Sequence, residues 1–143
     1  MASEETATPA AGRDADRTYF TVEGANQALP YVRRIIEDVT GTYQQIVDLR
    51  RRLERVEPGQ DASLERSYEQ AMDRLSSLVD ELHEVGVELK DFERGLVDFP
   101  AWHDGREVLL CWKQGEDAVA YWHETDAGYA GRQKVELLQK AAR

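Results

Sequence analysis

From Pro30 to about Val56 the apolar residues Val32, Ile36, Val39, Tyr43, Ile46 and Leu53 return at alternating steps of four and three, with only Arg50 out of series. Such a stripe lies on one face of a helix and predicts a partner that covers it. A second stripe, Leu64, Tyr68, Ala71, Leu75, Leu78, Leu82 and Val85, runs unbroken to Gly86. Between them, Glu57-Pro58-Gly59-Gln60-Asp61-Ala62-Ser63 is a turn by composition: Pro58 and Gly59 end one helix, and Asp61 or Ser63 can cap the next. The pattern predicts a long antiparallel two-helix coiled-coil hairpin over about residues 21–85. An arm of some 25 residues would measure about 38 Å. Upstream, Thr21 is placed to cap the first helix and Phe20 to staple onto it. Pro30 is expected to restart or kink that helix, because its ring excludes the hydrogen bond four residues back.

Beyond Gly86 the period falls to two, and aromatic and β-branched residues take over. Asp104-Gly105 is a strong hairpin signal, since a type I′ turn needs positive φ at both central positions. As a two-residue loop it pairs Asp98 with Cys111, Phe99 with Leu110, Ala101 with Val108 and Trp102 with Glu107. A third strand, about Ala118 to His123, returns through Lys113-Gln114-Gly115-Glu116-Asp117 and completes a small three-stranded antiparallel β meander over about residues 87–124. An even-numbered loop there gathers Val97, Phe99, Val108, Leu110, Trp112, Val119 and Tyr121 on one face, the coherent choice for packing on helices. The other face then carries Asp98, Pro100, Trp102, Glu107, Leu109, Cys111, Ala120 and Trp122, too apolar to stay wet. A cover is expected from the C-terminal segment, residues 125–143, or from a second subunit. The fold class is thus α+β: one domain over residues 18–143 behind a tail, residues 1–17, too poor in apolar side chains to order itself.

Length and charge narrow the partners. At 143 residues the chain suits one domain with a real core. The 28 acidic against 18 basic side chains give a formal charge of −10, which repels phosphate backbones and anionic lipid. Direct nucleic-acid binding and membrane association are therefore not expected. The single cysteine and the absence of an apolar leader or span point to a reducing cytoplasm.

The run from Gly86 through Glu88-Leu89-Lys90-Asp91-Phe92-Glu93-Arg94-Gly95 to Pro100 resembles a bacterial domain-of-unknown-function family, number two-two-zero-three. Asp104-Gly105-Arg106-Glu107, Cys111-Trp112-Lys113, Gly115-Glu116, Tyr121-Trp122-His123, Gly128-Tyr129-Ala130-Gly131-Arg132 and the opening Phe20-Thr21-Val22-Glu23 extend the likeness over residues 19–132. Gly24 departs from it where the family more often has Glu. That family carries no assigned activity, so the resemblance implies no catalytic residue. It does imply that a shared function sits in the second half, with Asp98, Arg106, Cys111, Trp112, Trp122, His123, Gly131 and Arg132.

Four constellations can carry chemistry. Cys111 and His123 are borderline-soft ligands of the kind zinc or iron takes, although an even loop sends them to opposite faces. That same loop, closed by Gln114-Gly115, would instead align His103, Arg106 and His123 across the strands, with Asp104 and Glu107 near by. Gly128-Tyr129-Ala130-Gly131-Arg132 offers exposed amides and a guanidinium for an anion, or simply a tight turn over the Cys111 face. Glu54, Glu57, Asp61 and Glu65 make the tip of the helical arm acidic, an architecture similar to transcript-cleavage factors that reach into RNA polymerase. Solvation explains such a turn equally well.

Taken together, the residues favour a binding or scaffold protein over an enzyme, acting as a homodimer. Trp102, Leu109, Trp112 and Trp122 would line its interface, with Asp98, Arg106, Gly131 and Arg132 beside them. The alternatives are a transition-metal protein or metal-dependent enzyme around His123, Cys111 and His103, and an acidic-arm regulator with a protein partner in a nucleic-acid machine.

Overall fold

The computed structural model describes residues 14–141, with side chains as far as residue 138. Of the expected tail, residues 1–13 lie outside the described residues. Residues 14–17 are held against the body: the Arg17 amide donates to Asp14 at 3.1 Å, and its guanidinium pairs with Glu88 and, at 3.4 Å, with Glu107.

The fold is α+β. Two long helices, α1 (Val22–Leu53) and α2 (Ala62–Val85), precede an antiparallel sheet of β1 (Glu88–Asp91), β2 (Leu96–His103), β3 (Arg106–Lys113), β4 (Tyr121–Glu124) and β5 (Gln133–Lys134), and α3 (Val135–Ala141) ends the described chain. The strands lie in sequence order, so the expected three-stranded meander is the centre of a five-stranded sheet. The two additions are four and two residues long and mostly polar, too short to show a period of two.

The helices start and stop where their caps demand. Thr21 accepts the Gly24 amide at 2.9 Å, Asp61 accepts the Leu64 amide at 3.0 Å, and Gly86 closes α2 in the left-handed region at φ 97°. Pro30 does not restart α1, which runs through it for 32 residues; Leu29 and Val32 on either side are buried in the core. The helices are antiparallel, as the pairs Tyr31–Glu81, Asp38–Arg74 and Arg50–Tyr68 require. Their seam keeps Ile46 and Leu53 of the expected stripe but shifts between them and after Val39: Thr42 and Leu49 are buried, while Tyr43 turns aside to stack on Phe92 at 5.7 Å. Two consecutive steps of three, Ile36–Val39–Thr42, break the regular heptad and remove the apparent defect at Arg50.

Two apolar clusters divide the molecule. The larger joins Ala25 to Val39 of α1 and Leu78 and Leu82 of α2 to Val97, Phe99, Val108, Leu110, Trp112 and Trp122 of the sheet. The smaller contains only helix residues, Ile46, Leu49, Leu64 and Ala71, and holds the distal arm. The Asp104-Gly105 turn has φ 53° and 77°, and each expected β2–β3 pair is present, including Asp98 opposite Cys111.

Candidate metal centre

The chemistry turns on how β4 returns to β3. Glu116 donates its amide to the Lys113 carbonyl at 3.0 Å, so Gln114-Gly115 does make a tight turn, but the ladder resumes only at Tyr121 opposite Cys111. The looped-out stretch is held by Asn26 of α1, whose side chain accepts the Val119 amide at 2.8 Å and donates to its carbonyl at 3.1 Å. Val119 thereby joins the core instead of pairing in the sheet. His123 consequently faces Leu109, and Leu110 faces Trp122. The parity is the reverse of the even loop expected from the sequence: Trp122 packs toward the helices, and His123 turns to the face of Asp98 and Cys111.

Asp98, Cys111 and His123 are all buried, and one ligand atom from each lies within 4.8 Å of the others. His123 Nε2 stands 3.1 Å from Asp98 Oδ1, and Nδ1 stands 2.7 Å from the Glu124 carbonyl oxygen. A carbonyl only accepts, so Nδ1 carries a proton. Nε2 then either accepts from a neutral Asp98 carboxyl or donates to its carboxylate, and one proton serves that contact in both cases. Burial pushes the Asp98 carboxyl above the usual carboxylate range, against the pull of His123 and of the nearby Lys90 ammonium. Burial, reinforced by the Asp98 charge, pushes the Cys111 thiol up to about 12. At neutral pH Cys111 is therefore a thiol and a poor nucleophile.

The C-terminal segment covers this face. After β4, residues 125–128 lead into a 3-10 turn, Tyr129–Gly131, and Arg132 returns across the sheet. Its guanidinium lies 3.9 Å from the ring centre of Tyr121 and 4.5 Å from that of Tyr129. It pairs with Glu116 and donates to Cys111 Sγ at 3.6 Å. Beside the trio remains a cavity of about 160 Å³, bounded by Lys90, Leu96, Asp98, Leu109, His123, Thr125, Gly128 and Tyr129.

Other expected site residues stand elsewhere. His103 faces Arg106 at the hairpin end and borders a separate apolar cavity with Phe20 and Leu138, so it does not join His123. Arg106 forms a two-pronged pair with Glu124, at 3.0 and 2.6 Å, and reaches Asp104 at 4.0 Å. Glu107 accepts from Tyr19 and pairs with Arg17. The proposed interface loses most of its members: Leu109, Trp112 and Trp122 are buried by their own chain, and Trp102 meets Tyr19 edge-on at 5.7 Å. At the arm's tip, Asp61 caps α2, Glu65 accepts the Gly59 amide at 2.8 Å, and Glu54 is the C-cap of α1. Glu57 donates its amide to Gln60 at 3.0 Å. Two tip carboxylates are thus engaged in closing the turn. Lys90, Thr125, Tyr129 and Glu116 were not singled out by residue chemistry, although all but Thr125 lie in the segments that carry the family likeness.

No described helix is long and apolar enough to cross a membrane. The chain belongs to the DUF2203 family of uncharacterized conserved proteins, whose sequence model matches residues 18–135. No curated protein and no solved structure matches it.

Proposed function

We propose that this DUF2203 protein binds a transition metal ion, zinc in the first instance, through Asp98 oxygen, Cys111 sulfur and His123 nitrogen. The observation that carries the proposal is the convergence of three different ligand types, all buried, beside a cavity. Three protein ligands and one open position is the arrangement of zinc sites that accept an exogenous molecule, whereas closed structural sites use four. Around a tetrahedral ion the ligand atoms sit about 3.5 Å apart. The present spacing, up to 4.8 Å, would close by small side-chain rotations.

The surroundings support the assignment. The hydrogen bond from His123 Nδ1 to the Glu124 carbonyl fixes the ring and leaves Nε2 as the ligating nitrogen, a common second contact of metal-bound histidines. Arg132 would serve the bound sulfur as a donor while Glu116 balances its charge. Binding would displace both the Cys111 thiol proton and the proton shared by Asp98 and His123, so affinity should rise with pH by about tenfold per unit for each proton released.

The test is the elemental content of purified protein, beside Cys111→Ser and His123→Gln variants shown to fold by circular dichroism. Near-stoichiometric metal in the parent and its loss in both variants is the expected result. Cobalt loading should add a thiolate-to-metal charge-transfer band that Cys111→Ser abolishes. Protein that stays metal-free after incubation with zinc, iron and cobalt would overturn the proposal.

A further inference from the structure

The cavity beside the trio is asymmetric in charge, and that asymmetry bears on what it admits. Lys90 stands on its rim, and its ammonium has three donors, of which Glu88 takes one at 3.1 Å. Tyr129, which forms part of the wall, is approached by the cations of Arg132 at 4.5 Å, Arg94 at 5.1 Å and Lys113 at 5.6 Å. Lys90 is thus the one cation among the described residues that bound the cavity, and three more surround the ring of Tyr129 beside it, on a chain whose formal charge is −10. Glu116 and Asp91 pair with two of them, Arg132 and Arg94. Asp98 and His123 line the cavity, so a molecule entering it meets two of the three proposed metal ligands.

Charge and size then limit the occupant. A divalent ion held by one carboxylate, one thiolate and a neutral imidazole carries no net charge at the centre, so it does not itself demand a dianion. A single negative charge suits the ammonium at the rim. A cavity of about 150 Å³ takes a ring of six carbon atoms, and this one is about 160 Å³. We infer that the cavity binds a small monocarboxylate of about six non-hydrogen atoms, one carboxylate oxygen on the metal and the other toward Lys90. This rests on the metal reading above.

The experiment uses the full-length protein loaded with cobalt, its metal content measured first. Lactate, its neutral amide lactamide, and inorganic phosphate are titrated separately while the visible cobalt bands are followed. Lactate should shift the bands with saturation, lactamide should not, and Lys90→Gln should weaken lactate binding about tenfold with metal content unchanged. Equal binding of lactate and lactamide, tighter binding of phosphate than of lactate, or bands that no probe moves would overturn the inference while leaving the metal site standing. Failure of the metal reading is seen earlier and separately, as absence of cobalt.

Discussion

On the helix side of the sheet, Val97, Phe99, Val108, Leu110 and Trp112 are fully enclosed by α1, α2 and one another. One residue along the same strands, on the opposite side, Asp98, Cys111 and His123 are hidden almost as completely, beneath a loop with little regular structure. The apolar side follows from burial alone, at about 25 cal/mol for each Å² removed from water. The polar side does not, because a buried ionic pair is often no more stabilising than apolar groups of the same volume. Burial of equal depth therefore calls for two causes here, and the metal proposed above would supply the second.

The sharpest break in the comparison is Phe99→Ala, which removes the side chain that meets Phe20 edge-on at 5.2 Å. It should cost about 3–5 kcal/mol in denaturant unfolding, with metal binding retained in whatever remains folded. Asp98→Ala should cost about 3 kcal/mol, because it leaves His123 Nε2 buried without its partner. The double variant Asp98→Val/His123→Leu should recover most of that stability while losing metal. Recovery of stability without loss of metal would show that the two sides are less different than the structure implies.

Alkaline unfolding sharpens the comparison further. The Cys111 thiol is raised in the folded state, from an ordinary value of 9.0 to about 12, so between those limits the unfolded chain releases a proton that the metal-free folded chain keeps. Its contribution to stability is complete below pH 9 and is lost as pH rises toward 12, with a slope approaching about 1.4 kcal/mol per pH unit. Cys111→Ala should flatten the difference curve over that window. The smallest effects belong to the arm's tip, where Asp61→Ala should cost about 1 kcal/mol through the lost cap. Glu57→Gln should stay within about 0.5 kcal/mol in equilibrium unfolding, as surface changes usually do.

The helical arm and the β2–β3 hairpin were legible because each is governed by local signals: repeated apolar spacing for one, the Asp104-Gly105 turn for the other. The arm's seam is legible at Val32, Ile36, Val39, Ile46 and Leu53 but not at Tyr43, which looks like a core residue until Phe92 offers it a partner outside the seam. The candidate centre was half legible. Asp98 opposite Cys111 follows from the turn, but the placing of His123 depends on Asn26 gripping Val119 across 93 residues of sequence. No pattern near β4 carries that contact, and Tyr121 and Trp122 serve equally well as the inward aromatic residue. Arg132 was visible as a loop cation, but its place between Tyr121 and Tyr129 required the chain to fold back over the sheet.

The segment between Lys113 and Tyr121 gives the centre an all-or-none dependence on residue count. Losing or gaining one codon between Val119, which Asn26 grips, and Tyr121 would leave the strands available, yet rotate His123 toward the helices and Trp122 toward the loop, whereas a change within 114–118 would be taken up ahead of that grip. A single in-frame insertion or deletion just after Val119 would thus abolish the proposed ligand set without touching any of its three members, so among relatives the spacing from Val119 to His123 is as informative as the identity of the ligands.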